Sequence, residues 1–524
     1  MHRITSGVPA ALFDTAATQR LEQRSAALLP AHTLMQRAGL AIARLARAVA
    51  PHARTVWIAC GPGNNGGDGL EAALHLHLHG LQVVVTWLGT PETAPADTLR
   101  AWQNAIAAGV PFSSQPPGDL GPNDLCIDAL LGLGLAPGET RAAPVAHSPL
   151  LNALQQLRQS AAPVLAVDLP TGLQADTGQY ATGFAPDSAS PHQTERHTLS
   201  LLTLKAGLFT GMGRDAAGTV WFDDLGCSPG AEPPSAWLIG HPALSPRRHA
   251  SHKGSYGDVA VVGGEGLAAR GMGMTGAALL AARAALHSGA GRVLVCLLDG
   301  GGLALDPQQP ELMFRHFNVL PLEHLTVVCG CGGGEAVRAV LPEVLLRAQQ
   351  LVLDADALNA IAANSALQSA VRTRTARGQS TVLTPHPLEA ARLLGTDTAR
   401  VQADRLASAQ QLTERFACVA VLKGSGSVVA APGHAPSINP TGNALLATAG
   451  TGDVLAGMVG ARLAASAGAW QAATAAVFAH GRIADQWPAG QVLTADRVAQ
   501  NPISNEKAHS AYCISTDSYY LYSN

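Results

Sequence analysis

Lysine is nearly missing from this chain: of its 34 basic residues four are Lys and the other 30 are Arg. Where a guanidinium has replaced an ammonium almost throughout, a surviving Lys marks a place too tight for a planar fork. Three of the four stand at a strand end or beside glycine: Lys205 in LTLKAG, Lys253 in SHKGSYG and Lys423 in VLKGSGS. An excess of one charge is lacking too. The 34 basic and 37 acidic residues leave a net charge of -3, which offers no basic footprint for nucleic acid or an anionic membrane. No uninterrupted apolar run reaches the roughly 18 residues of a membrane span. The start, MHRITSGVPAALFDTAATQR, has no charged segment leading into an apolar one. A cytoplasmic protein is therefore expected. Cysteine is sparse, and Cys60, Cys126, Cys296 and Cys418 sit inside apolar runs as small hydrophobes. Only Cys329 and Cys331 are close neighbours, so neither a disulfide framework nor a zinc site is indicated.

What is present is length and alternation. A chain of 524 residues exceeds what one hydrophobic core supports, so two domains are expected. Apolar runs of strand length (TVWIAC, LQVVVTWL, DLCIDALL, VLAVDLP, LSLLTL) alternate with Ala/Leu-rich helical text, the pattern of a parallel sheet wrapped by helices. The alternation breaks at 228–250, rich in Pro and Ser, and resumes with DVAVVGG, RVLVCLL, LTVVCGCGGG, LVLDADALN, TVLTPHP and VAVLKGSGSVV. The expected plan is one α/β domain over 1–227, a linker over 228–250 and a second α/β domain over 251–498. Residues 499–524 form an atypical tail; the last 24 residues hold four of the six Tyr and are expected to be poorly ordered.

Chemistry gathers at the ends of the strands. CGPGNNGGDGL contains Gly61-x-Gly63-x-x-Gly66 after an apolar run, the spacing of a dinucleotide turn. A hydride-carrying site also needs an acid at the tip of the next strand, but VVVTWLGT ends without one. The insert NNGGD, expected to precede the helix, brings two amides, two glycines and Asp68 to a turn whose backbone N–H groups suit a phosphate. Two more strands end at Asp128, followed by Gly132, Gly134 and Gly138, and at Asp168, followed by Thr171 and Gly172. Such carboxylates serve as a base, a cation ligand or a helix cap. Asn65, Asp128 and Thr171 together suit a hard cation better than zinc. In the second half, AGTGDVLAG opens a helix with Gly452 and Asp453, and Asp453 is placed to take a proton from an attacking hydroxyl. Its position at a helix N-terminus favours the anion, so a weak base is expected. LKGSGS offers Lys423, Gly424, Ser425, Gly426 and Ser427 as a nucleotide loop, since no P-loop spacing occurs. Asp354 and Asp356 in DADALN either position magnesium or cap a helix. The histidines of HLHLH (His75, His77, His79) read as a helix face.

In order, LMQRAG (34–39), GPGNNGGDG, DALLGLG and VDLPTGL resemble the N-terminal domain of NAD(P)H-hydrate epimerases, over about residues 10–226. HKGSYGDVAVVGG, DADALN, TPHPLEAARLLG, LKGSGSVV and AGTGDVLAG resemble the ADP-dependent NAD(P)H-hydrate dehydratase domain of the same repair enzymes, over about 236–498. The resemblance implies a Rossmann-like three-layer domain followed by a ribokinase-like α/β domain. It implies that Asn64, Asn65, Gly66, Gly67 and Asp68, with Gly132, Leu133, Gly134, Leu135, Ala136, Pro137 and Gly138, contact the hydrate, and that Asp168 acts as base. It implies K+ on Asn65, Asp128 and Thr171. In the second domain it implies hydrate contacts at Gly271, Gly332, His386 and Asp453, and the adenine nucleotide, ADP with Mg2+, on Lys423 to Ser427 and Gly452. The partners implied are the hydrates and ADP, and a homo-oligomer is expected. Five positions depart from the family pattern: Thr171 for Ser, Cys331 for Pro, Arg270-Gly271 for Gly-Ala and Leu388 for Gly. The rival readings are an ATP-dependent small-molecule kinase of ribokinase or hydroxymethylpyrimidine kinase type in the second half, and a non-catalytic ligand-binding module in the first.

Overall fold

After their polar first residues, runs such as TVWIAC and DVAVVG are apolar throughout because both faces of the strands they form are covered. In the second domain Val259 and Val261 enter one core, while Ala260 and Val262, pointing the other way, enter another. In the computed structural model, which describes residues 1–134, 144–145, 147–186, 194–242, 248–465 and 468–501, helices lie on both faces of two twisted sheets.

The strands of the first half are β1 (His2–Arg3), β2 (Ala10–Leu12), β3 (Thr55–Cys60), β4 (Gln82–Trp87), β5 (Leu125–Ala129), β6 (Val164–Val167), β7 (Arg196–Leu201), β8 (Thr219–Asp223) and β9 (Ala236–Leu238). Those of the second are β10 (Asp258–Gly263), β11 (Arg292–Leu297), β12 (Met313–Phe314), β13 (Thr326–Cys329), β14 (Gln350–Leu353), β15 (Ser380–Leu383), β16 (Val419–Leu422), β17 (Val428–Ala430) and β18 (Ser437–Ile438). The first sheet runs β1-β8-β7-β6-β5-β3-β4, parallel apart from β1, in the expected Rossmann-like arrangement. The second runs β12-β11-β10-β13-β14-β15-β16-β17-β18-β9-β2, parallel from β12 to β16, which is the ribokinase-like half. In each sheet the chain leaves a strand to one side and later returns on the other, between β3 and β5 and between β10 and β13. Crevices open at the carboxyl ends of strands at such reversals.

The expected linker is not structureless. β9 lies within it and pairs with β18, while β2, from near the start of the chain, pairs with β9 and closes the edge of the second sheet. Ala236 and Leu238 are fully buried on one side and Trp237 stands out on the other, a period-two pattern only three residues long and hidden among prolines. The second domain ends in the helix Ala495–Gln500, and the tail beyond residue 501 lies outside the described residues.

Candidate active sites

The helix after β3 spans Asn64–Leu78, so NNGGD is its first turn and more, not a loop ahead of it. Glycine is there for close approach. A Cβ on Gly66 would fall 1.9 Å from the Gly61 carbonyl oxygen, and one on Gly67 would strike Met35 and Thr98. The helix start therefore lies flat on the β3 turn, with its first N–H groups free of intrahelical partners. Gly66 and Gly67 are buried beneath it, and of the predicted residues Asn64, Asn65 and Asp68 with Gly132, Leu133, Gly134 and Asp168 line the adjacent cavity of about 470 Å³. Leu135, Ala136, Pro137 and Gly138 lie outside the described residues.

Asp168 follows β6 with φ 65, a left-handed conformation that a non-glycine residue holds only when its surroundings impose it. The surroundings are its own hydrogen bonds. Its amide donates to the Leu199 carbonyl at 2.8 Å, and its Oδ1 accepts the Leu201 amide at 3.0 Å and the Lys205 ammonium. Lys205, suspected only because lysine is scarce, is fully buried. Asp68 is held well above the usual carboxylate range, first by burial and then by the charge of Asp168. Glu22 is also raised, by burial and by Asp168.

Glu22 and His32 also line the cavity, and no motif pointed to either. His32 has φ 72 and a fully buried ring, 2.6 Å from Glu71 Oε1. Asp128 and Thr171 stand behind the cavity. Thr171 donates its amide (2.9 Å) and its hydroxyl (2.6 Å) to Asp128, and the Leu131 amide donates to Thr171 Oγ1 at 3.1 Å. Burial raises Asp128 against these bonds. Asn65 Oδ1 borders the same turn, 3.1 Å from the Cβ that Gly132 lacks, and its buried Nδ2 has no partner.

In the second domain the strand ends of β13, β14, β15 and β16 bring Cys331, Asp354, His386 and Lys423 to one place. Lys423 Nζ donates to Asp354 Oδ1 at 2.8 Å and lies 4.0 Å from Glu389. Burial works to lower it, but Asp354 and Glu389 outweigh burial and raise it. Of the two roles open for Asp354, capping is not what its side chain does: it makes no cap bond and accepts from Thr384 Oγ1 and Lys423 instead. Asp356 accepts the Gly334 amide. Gly452 approaches Lys423 because a Cβ there would sit 3.2 Å from Nζ. Asp453 lies in the first turn of the helix Thr451–Ala464, yet its carboxyl is raised to about 6. Burial, then the charge of Asp354, overrides the helix N-terminus that was expected to make it a weak base.

His386 caps the helix Pro387–Leu394: its Nδ1 accepts the Leu388 and Glu389 amides, and Glu389 returns a bond to the His386 amide. Glu389, raised to about 7 by burial, was missed, although its place three residues after the cap is the signature of a capping box. Cys331 Sγ is 3.9 Å from Asp354 Oδ2, and Cys331, Asp354 and Asp453 are the one group of potential metal ligands found together among the described residues. Gly332 takes φ 57 with its Cβ position 2.4 Å from the Met274 carbonyl. Gly271 ends the short helix Leu267–Arg270, whose Arg270 is anchored by Glu265 at 2.8 Å. Leu388 is exposed. A larger hollow, of about 1430 Å³, lies around Trp237, Met458 and Trp470 and holds none of the predicted residues.

The first half, residues 31–207, matches the family model of the YjeF-related protein N-terminus, and residues 261–504 match that of NAD(P)H-hydrate dehydratase. The bifunctional NAD(P)H-hydrate repair enzyme Nnr of Escherichia coli K12 is 36% identical over 485 residues, which cover 87% of this chain and 85% of that one. This chain belongs to the bifunctional NAD(P)H-hydrate repair enzymes. The Coxiella burnetii member is 34% identical, over 87% of this chain and 90% of its own. The ADP-dependent (S)-NAD(P)H-hydrate dehydratase of Neisseria meningitidis is 40% identical over 46% of this chain and 80% of its own. Among solved structures, the ADP/ATP-dependent NAD(P)H-hydrate dehydratase of Bacillus subtilis, crystallised with ATP and Mg2+, is 30% identical, covering 49% of this chain and 91% of that one, with a TM-score of 0.42. Among the described residues no helix is long and apolar enough to cross a membrane.

Proposed function

We propose that the first domain interconverts the R and S forms of hydrated NAD(P)H, and that the second dehydrates the S form at the expense of ADP, giving NAD(P)H, AMP and phosphate. The observation that carries this reading is a pair of crevices, each at a sheet reversal, each with a lysine bonded to a buried aspartate: Lys205 with Asp168 and Lys423 with Asp354. Membership of a bifunctional family over both halves supports it against a lone kinase or a scaffold.

In the first crevice Asp168 takes the proton of the ring hydroxyl as the adjacent ring C–N bond opens to an aldehyde and an N–H, and the reverse steps re-close the ring on the other face, while the free amides at the start of the helix Asn64–Leu78 receive the dinucleotide's phosphates. Asn65, Asp128 and Thr171 offer an amide oxygen, a carboxylate and a hydroxyl around one turn, an oxygen-only set that fits K+. Bound there, K+ would supply positive charge beside the substrate's phosphates.

In the second crevice the hydrate's hydroxyl oxygen attacks the β-phosphorus of ADP and AMP departs. The ring phosphoester then loses phosphate, a neighbouring ring C–H gives up its proton and the double bond of NAD(P)H re-forms. Asp453 accepts the hydroxyl proton in the first step. Lys423 and the 424–427 amides hold the phosphates. The carboxylate of Asp354 fits the Mg2+ that accompanies the nucleotide and leaves Asp453 free as the base; the Cys331 thiol beside them is no ligand for so hard an ion. A homo-oligomer in the cytoplasm, where NAD(P)H turns over, completes the proposal.

The test is repair of a mixed-epimer hydrate. Recovery of the full NADH absorbance with ADP, beyond the S fraction alone, supports both activities; recovery that stops at the S fraction removes the epimerase. Turnover with ATP but none with ADP, ending in a stable phosphoester, replaces the dehydratase by a kinase.

A further inference from the structure

The 423–427 loop does not stand on its own domain alone. Its outer edge rests on residues 209–214 of the first domain. The Gly211 amide donates to the Ser425 carbonyl at 3.1 Å, and Ser425 Oγ donates back to the Gly211 carbonyl at 3.0 Å. The fully buried Thr210 hydroxyl lies 3.3 Å from the carbonyl oxygens of both Ser425 and Gly426. Contact is so close that Gly426 has no room for a side chain, since a Cβ would fall 2.0 Å from the Phe209 carbonyl oxygen.

Beneath the loop lies Arg405, 1% exposed. Its Nε donates to Thr210 Oγ1 at 3.2 Å, its Nη2 to the carbonyls of Leu422 and Lys423 at 3.2 Å each, and its Nη1 to Gln402 Oε1 at 2.7 Å. None of these acceptors is a carboxylate. A buried guanidinium without a counter-ion is costly; among the described residues Arg405 has none, and burial lowers it to about 10. It stands directly behind a loop read here as receiving a polyanion, whose charge would offset that cost.

We propose that Thr210 and Arg405 are positioning residues for the dehydratase: the first domain, through Thr210, locks Arg405 under the 423–427 loop and so sets that loop for the diphosphate of ADP. The proposal rests on the reading of 423–427 as the ADP loop. It makes the epimerase domain a working part of the other domain's nucleotide site. It also gives the buried guanidinium a purpose that packing alone does not, because an apolar side chain would fill the space without an uncompensated charge.

The test uses the full chain, with ADP and the hydrate varied separately. Thr210→Val removes the hydroxyl at constant volume. It is expected to raise KM for ADP by roughly threefold to tenfold, the scale of one buried hydrogen bond, with KM for the hydrate and kcat within about twofold and epimerisation unchanged. Thr210→Ser is expected to restore KM for ADP. Arg405→Lys is expected to raise it further, because one ammonium cannot serve four acceptors in that geometry. Lys423→Met and Ser427→Ala are the controls on the loop itself. If they raise KM for ADP while both Thr210 variants match the wild type, the positioning role is overturned and the loop reading stands. If they leave KM for ADP unchanged, the loop reading falls and takes the proposal with it. A Thr210→Val protein that loses kcat and both KM values together, without rescue by Ser, shows a merely structural contact and overturns the positioning role.

Discussion

The ammonium of Lys205 and the backbone amide of Leu201 converge on one oxygen, Oδ1 of Asp168. The carboxylate is thus pinned from one side, and its Oδ2 is left for the cavity that Asp168 lines. Asp168 pays for this orientation with a left-handed backbone, and Lys205 is fixed by a further bond to the Leu201 carbonyl at 2.7 Å. An ion pair in which one member is fully buried and the other nearly so is an arrangement for holding a reactive group still.

Asp168→Asn keeps the shape and removes the proposed base. R-to-S conversion, followed by chromatography of the epimers, is expected to fall by about 10²-fold or more, with ADP-dependent dehydration of pure S hydrate unchanged. Lys205→Met is the harsher change: it strands a buried carboxylate, for which a loss of about 3–5 kcal/mol in denaturant unfolding of the first domain is expected. Epimerisation surviving intact in Asp168→Asn would leave the proton to another group.

As the proposed base, Asp453 would set the acid limb of the second reaction. A base must be ionised to accept a proton, and this carboxyl, raised to about 6 by burial and by Asp354, is increasingly protonated as pH falls through that value. Dehydration kcat is therefore expected to be flat above about pH 7 and to drop tenfold per unit well below pH 6. A limb near pH 4, the ordinary carboxylate range, would contradict the burial argument.

Much of this was legible in the sequence because buried parallel strands announce themselves as apolar runs and crevices announce themselves as glycine and aspartate after them. Asp168, Asp453 and Lys423 were visible on those grounds. The start of the helix at Asn64 was not, because Asn and Gly are poor helix formers and only the close approach of Gly66 to Gly61 explains them there. β9 is too short to carry a pattern, and its partner β2 lies more than two hundred residues earlier in the chain. Nor does sequence tell that Asp354 faces Asp453, which reverses the expected strength of the base.

Cys331 occupies the place where the family pattern has proline, and its thiol bears on the same base. The hydrogen bond from the thiol lowers Asp453 against the forces that raise it. Cys331→Ala removes that bond, so the acid limb of kcat is expected to move toward higher pH, while KM for ADP stays put. The thiol itself is fully buried and held well above its ordinary value by burial and by Asp453 and Asp354. It should resist iodoacetamide at neutral pH in the folded protein, as mass spectrometry of the labelled peptide would show.

Thr171 ties the cation reading to something other than turnover. Its hydroxyl and amide both bond Asp128, and the hydroxyl also accepts the Leu131 amide, so the group sits between the carboxylate and the turn that carries Gly132. Thr171→Val keeps the branched shape but deletes one oxygen from the set and leaves Asp128 Oδ1 with a single weak partner, the Leu130 amide at 3.3 Å. In sodium, the first domain of the variant is expected to be less stable by about 1–3 kcal/mol, the cost of an unsatisfied buried acceptor. A cation that binds only the folded state adds stability as its concentration rises. The melting temperature of the wild type should therefore climb with K+ at constant ionic strength, and that of Thr171→Val should climb much less. Thr171→Ser, which returns the family's usual residue and keeps the oxygen, should climb as the wild type does. If the wild type melts at one temperature in K+ and Na+ alike, Asn65, Asp128 and Thr171 hold the turn together without an ion.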